Sequence, residues 1–113
     1  MELRTDSPDQ VVLVLSNAPD DSLAKRIAHI TVEEGLAACV NLGRPALSMY
    51  MWQGSLEGAE EIPLTFKTTG AKVLPLMERI KSLHPYEVPE ILVLPVIAGL
   101  DSYVNWVKEQ TST

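Results

Sequence analysis

His84 is the side chain in this sequence best equipped for chemistry. It begins His84-Pro85-Tyr86-Glu87-Val88-Pro89-Glu90, so two carboxylates follow it closely. An imidazole ligates transition metals and moves protons near neutral pH. Cys39 is the single cysteine of the chain, and its thiolate suits copper or zinc, copper binding most tightly of the first-row divalent ions. His84 and Cys39 are therefore the candidate metal ligands, with Glu87 and Glu90 as helpers. Their spacing matches no metal motif, and each has a plainer role. Cys39 sits in an apolar strand, where an unpaired cysteine is often a small buried hydrophobe. His84 closes a helix, where an imidazolium meets the carbonyl end. His29 falls on the solvent face of a helix. Tyr50, Trp52 and Tyr86 could line a ligand cleft or pack at an interface. Lys67 could hold an anion or end a strand in solvent. No GxSxG, HExxH, Walker A or GxGxxG stretch occurs, so no standard catalytic signature is present.

The elements that must position these residues follow from hydrophobic period. Gln10–Leu15 is a continuous apolar run of strand length. Pro19-Asp20-Asp21-Ser22 opens a helix, with small polar caps and negative charge at its positive end. Leu23, Ile27 and Ile30 form its apolar stripe, and Gly35 ends it. Ala37–Leu42 reads as a strand that Gly43-Arg44-Pro45 breaks or bends. Ala46–Gln53 alternates, with Leu47, Met49 and Met51 on one face and Ser48, Tyr50 and Trp52 on the other. Gly54–Glu60 reads as a polar turn, and Glu61–Thr68 returns to complete a long hairpin. Pro63 within it demands an edge or a bulge. Ala71–Leu83 is helical, with Pro75 tolerable in its first turn. Glu90–Ile97 is a last strand, and Asp101 caps a short helix.

The order β-α-β-β-α-β plus a terminal helix predicts an α+β, ferredoxin-like antiparallel sheet with two helices on one face. Its strand order would be 4-1-3-2. That topology gathers Ser16, His84 and Glu90 at one end, sends the hairpin tip after Trp52 the same way, and leaves Lys67 at the other end. One domain is expected over 10–110, between flexible ends at 1–9 and 111–113.

Composition removes several classes of function. Fifteen acidic side chains outnumber nine basic ones, for a net charge of −6, which disfavours nucleic acid and anionic membrane as partners and permits cations. An RNA-recognition reading of the same element order lacks stacking aromatics on the first strand. No apolar window is long enough to span a bilayer, and the polar, acidic start is unlike a secretory signal. One cysteine fits a reducing compartment. The first and last strands are apolar on both faces, yet two helices cover only one. The remaining face is a larger apolar patch than a soluble monomer carries, and a symmetric partner is the simplest cover. A homo-oligomer is expected on this ground alone.

Several stretches occur in one order: Ser16-Asn17-Ala18-Pro19, Leu36-Ala37-Ala38-Cys39-Val40-Asn41, Tyr50-Met51-Trp52-Gln53-Gly54, Lys67-Thr68-Thr69, His84 to Ile91, and Tyr103-Val104-Asn105-Trp106. Together they resemble the CutA family, the divalent-cation tolerance proteins, from about Val11 to Val107. The resemblance implies a small cytoplasmic homotrimer of ferredoxin-like subunits, PII-like in shape, non-catalytic and needing no cofactor, with Cu(II) or another divalent cation as ligand. It implies clefts between subunits at Trp52, Lys67, Tyr86 and Glu90, which makes these the candidate ligand-binding residues. The alternative is a binding module that holds a small anion in those clefts, or a scaffold for a protein partner. Copper ligation in bacterial members resembles a cysteine at the end of the first strand plus two consecutive histidines before Pro-Tyr. This chain has Ser16, Leu83 and His84 at those positions, so weak metal binding is expected. Gly43-Arg44-Pro45 and Gln53 also depart from the family pattern.

Overall fold

Burial alternates along most of Val11–Ala18 (β1) because one face of this strand lies under two helices. The computed structural model describes residues 8–112. β1 is followed by α1 (Asp21–Glu33), β2 (Cys39–Leu42), β3 (Ala46–Trp52), β4 (Ser55–Thr69), a 3-10 turn (Gly70–Lys72), α2 (Val73–Leu83), β5 (Leu92–Pro95) and α3 (Asp101–Gln110). The sheet order is β2-β4-β1-β5, and β3 pairs with the far part of β4. Every pairing is antiparallel. With β2 and β3 taken as one bent strand, this is the expected 4-1-3-2 order, and the fold is ferredoxin-like.

The main core joins the sheet to its helices. Val12, Val14 and Ala18 of β1 and Ile62, Leu64 and Phe66 of β4 pack with Ala24 and Ile27 of α1 and with Val73, Leu76 and Ile80 of α2. Each such valine, leucine, isoleucine or phenylalanine stabilises the fold by roughly 1.5–3 kcal/mol. Local signals place the helices. The Asp20 side chain accepts from the Leu23 N–H at 2.8 Å, satisfying one of the orphan donors of the first turn. Gly35, at φ 72°, follows the last turn, where a side chain would be strained. Pro75 is the third residue of α2, so its missing N–H removes no helical bond.

Several element boundaries differ from expectation; the first strand, expected to end at Leu15, runs on to Ala18, and the strand expected from Ala37 begins at Cys39. The polar turn expected over Gly54–Glu60 is a two-residue hairpin, because Gln53 and Gly54 have φ of 49° and 82° and both central residues of such a turn are left-handed. Ser55–Glu60 continue β4 by pairing with β3. The strand expected over Glu90–Ile97 pairs only at Leu92–Pro95, with one further bond from the Val96 N–H to the Val11 carbonyl; β5 is an edge strand, where Pro95 turns its missing N–H away from β1 and costs no ladder bond. The second helix, expected from Ala71, begins with a 3-10 turn and becomes α-helical at Val73. Asp101 lies inside the first turn of α3 rather than at its cap, which is Leu100.

Between the pairs Leu42↔Leu64 and Ala46↔Glu61, the three residues Gly43–Pro45 face the two residues Ile62 and Pro63. This is the bulge that Pro63 demanded. A Cβ on Gly43 would come within 3.2 Å of the Pro63 ring, so glycine lets the strands approach there.

β4 pairs with β1 only from Ile62 onward. Ser55–Glu61 therefore pair with β3 alone, forming a two-stranded ribbon that extends about 20 Å past the end of β1. Leu47, Met49, Met51 and Leu56 on this ribbon are 63–66% exposed. The sheet face away from α1 and α2 is covered only at one end, where Val107 of α3 meets Val11 and Ala38. Leu92 and Leu94 on β5 are exposed. Of the chain ends expected to be loose, 1–7 and 113 lie outside the described residues. The Pro8 carbonyl accepts from the Ala71 N–H, and Thr111 is buried with its hydroxyl donating to the Val107 carbonyl at 2.9 Å.

Replacing Gly54 by alanine tests the ribbon turn. A Cβ there meets no atom within 4 Å, yet φ is +82°, so the expected cost is backbone strain of about 1–2 kcal/mol. It is read as a lower urea midpoint with an unchanged slope.

Candidate functional site

Pro85 determines where α2 stops. The residue before a proline is driven out of helical backbone, and His84 accordingly has φ −87° and ψ 135°. Its ring turns toward the end of β1. His84 Nε2 lies 2.8 Å from the Asn17 carbonyl oxygen, and the Tyr86 main-chain N–H donates to His84 Nδ1 at 3.1 Å. The His84 and Tyr86 rings meet at 4.6 Å, tilted by 57°. The Tyr86 hydroxyl donates to Glu61 Oε2 at 3.1 Å, and Asn17 Nδ2 donates to Glu90 Oε1 at 3.2 Å. The expected meeting of the β1 end, His84 and Glu90 is present, and both His84 and Glu61 are buried. Burial, then the hydrogen bond and the charge of Glu61, hold the Tyr86 phenol above the usual tyrosine range.

Ser16, one residue earlier on β1, is 4% exposed and its Oγ has no hydrogen-bond partner. An open cavity of 660 Å³ lies nearby, between the start of α1 and the end of α2, lined by Asp20, Asp21, Arg26, Leu83, His84 and Pro85 among others.

The remaining expected site residues lie elsewhere in the subunit. Cys39, Lys67, Leu13 and Leu94 form one row across β2, β4, β1 and β5. Lys67 Nζ sits 5.8 Å over the Tyr103 ring, which pairs with Trp106 at 5.6 Å. Trp52 is exposed beside the ribbon turn, opposite Ser55, roughly 40 Å from Lys67 along β4. One subunit thus brings together His84, Tyr86 and Glu90, places Cys39 beside Lys67 at the other end, and leaves Trp52 apart. Cys39 and His84 do not share an ion within one subunit. Sequence reasoning missed Asn17 and Glu61. Asn17 lies in the quoted Ser16–Pro19 stretch but acts partly through its main chain, and Glu61 acts through the register of a strand, so residue type marks neither role.

A tight soft-metal site does not fit these residues. Such a site needs several nitrogen or sulfur donors on one ion. Leu83 offers none, Ser16 offers a hydroxyl, and both nitrogens of His84 already have main-chain partners. Among the described residues, no three His, Cys, Asp or Glu side chains converge.

The antiparallel order, the two helices on one face, and the overhanging ribbon define a ferredoxin-like fold whose candidate residues lie at its ends and on its open face. Comparison with known proteins carries this further. The family model for CutA1 divalent ion tolerance proteins matches residues 12–110, and the chain belongs to that family. It is 44% identical over 99 residues to the divalent-cation tolerance protein CutA of Thermus thermophilus, which covers 88% of this chain and 96% of that one. The crystal structure of CutA from Xylella fastidiosa superposes with a TM-score of 0.89 at 38% identity, covering 90% of this chain and 98% of the other. The CutA of Archaeoglobus fulgidus, described as periplasmic, matches with a TM-score of 0.87 at 33% identity over 89% of this chain and 98% of its own.

The orphan hydroxyl at Ser16 gives a direct test. A buried polar group without a partner costs about 1–3 kcal/mol. Ser16→Ala is therefore expected to stabilise the protein by about 1 kcal/mol, read as a higher denaturant midpoint; a lower midpoint would show that the hydroxyl is satisfied.

Proposed function

We propose that this chain works as a non-catalytic homotrimer, PII-like in shape, in the cytoplasmic response to divalent cations, and that it holds copper and similar ions only weakly. The observation that carries this reading is the exposed apolar ribbon. Leu47, Met49, Met51 and Leu56 are each about two-thirds exposed in one subunit, on a ribbon with no other element of its own subunit to lean on. Sister copies are the cover that closed symmetry supplies most simply. Clefts between copies are also where Trp52 and Lys67, separated in one subunit, could meet Tyr86 and Glu90 of another. A net charge of −6 draws cations to the surface, and Glu87 and Glu90 offer oxygen donors that bind soft ions poorly. The single cysteine suits a reducing compartment. No helix among the described residues is long and apolar enough to cross a membrane.

One observation favours a second reading, a small anion as ligand. Lys67 makes no ion pair among the described residues, and its ammonium lies over the Tyr103 ring. An anion there would gain a charge partner and an aromatic wall.

Sedimentation velocity at low micromolar concentration is expected to give a three-copy mass for the wild type and a smaller one for Met49→Asp. A folded single copy of the wild type would overturn the trimer. Cu(II) at one equivalent is expected to separate from the protein on gel filtration; a stoichiometric complex that survives the column would overturn weak binding. A thermal-shift screen of nucleotides and organic anions tests the second reading. It predicts a stabilising ligand whose effect Lys67→Ala abolishes.

A further inference from the structure

The cation named in the family's description meets a mismatch at His84, and the ring's own hydrogen bonds explain it. An imidazole binds a metal through a ring nitrogen that carries no proton. In metal sites the other nitrogen commonly donates to a carbonyl, which sets the tautomer and leaves the first one open. His84 has half of that arrangement. A carbonyl oxygen can only accept, so the contact of Nε2 with the Asn17 oxygen at 2.8 Å places the proton on Nε2. The open half is absent. A main-chain N–H can only donate, and the Tyr86 N–H occupies the lone pair of Nδ1 at 3.1 Å. A cation at Nδ1 has to expel that N–H and leave it without a partner. A cation at Nε2 has to take the place of the ring proton and force itself between Nε2 and the Asn17 oxygen, which lie only 2.8 Å apart. The ring is 8% exposed, so it has little room to swing free.

The two bonds have a different use. The Asn17 carbonyl takes the His84 end of the segment between α2 and β5, and the Asn17 side chain takes the Glu90 end. The segment is thus clipped at both ends to one residue of β1. Between the clips, Tyr86 reaches Glu61, which pairs with Ala46 in the first rung of the overhanging ribbon. We propose that His84 is a neutral two-ended latch rather than a cation ligand: it joins β1 to the Pro85-Tyr86 turn and so seats Tyr86 against Glu61 at the root of the ribbon. The latch is a positioning device. Its effect on assembly rests on the trimer proposed above; its hydrogen bonds do not.

The test uses the isotope-labelled full chain and long-range proton–nitrogen spectra of the imidazoles, with His29→Gln to assign the two rings. His84 is expected to show a protonated Nε2 and a bare Nδ1, neither moving when excess Zn(II) is added. A proton on Nδ1, or a bare-nitrogen signal that shifts with Zn(II), would overturn the latch. In His84→Ala the Tyr86 amide is expected to exchange with solvent about tenfold faster, the equivalent of one neutral hydrogen bond. An unchanged rate would also overturn it. If that variant does not fold, the wild-type spectra decide alone, since they need no substitution at His84. A single-copy mass in sedimentation would remove the trimer and leave these spectra as predicted, so the two proposals fail separately.

Discussion

Two helices can shield one face of a sheet, and this chain builds strands with apolar side chains on both. On β1, Val12 and Val14 go under α1 and α2 while Leu13 and Leu15 point the other way. The third helix answers part of the problem by laying Val107 against Val11. It leaves Leu92 and Leu94 exposed. The ribbon has the same surplus in a sharper form, since a two-stranded hairpin carrying leucines and methionines is at best marginal by itself in water. Apolar area beyond what one copy can bury runs through the whole molecule. It explains why so small a chain spends residues on a ribbon that its own core never touches.

The end of β1 is organised by a different rule, the pairing of polar groups around two buried ones, His84 and Glu61. His84, Tyr86, Glu61, Asn17 and Glu90 form a connected set in which main-chain groups take both imidazole nitrogens. Ser16 beside them is left out. A fully partnered imidazole stiffens a turn, whereas a metal site needs a lone pair kept open. Both uses draw on the same residue type, and what separates them is whether the following N–H folds back onto Nδ1. That fold-back follows from Pro85, which breaks the helix and turns the chain sharply enough for Tyr86 to return.

Charge does less to hold the subunit together. The pairs Lys25–Asp21 and His29–Glu33 are exposed and local to α1, and such pairs contribute little in water. The exception in geometry is Arg79, whose Nε and Nη2 each donate to Glu34 at 3.0 Å. This fork joins α2 to the end of α1 by two parallel charge-assisted hydrogen bonds.

Much of the fold was legible because the relevant signals are local. The run Gln10–Leu15, the Asp20 cap, the stripe of Leu23 and Ile27, and the Gly35 stop each lie within a few residues. The bulge at Pro63 was legible because proline lacks a donor. The ribbon's length was not, since Ser55–Glu60 carry no apolar alternation and only pairing with β3 makes them a strand. Of the candidate site, the gathering of His84 and Glu90 at the end of β1 followed from topology. The roles of Asn17 and Glu61 did not, because a main-chain carbonyl leaves no trace in residue type and a register partner is known only when the strands align. Composition and period by themselves determined the element order, the ferredoxin-like class and the surplus apolar face, because burial has to match the period of each element. Only the tertiary structure decided that His84 Nε2 is taken by the Asn17 carbonyl, because that contact joins chain segments far apart in sequence.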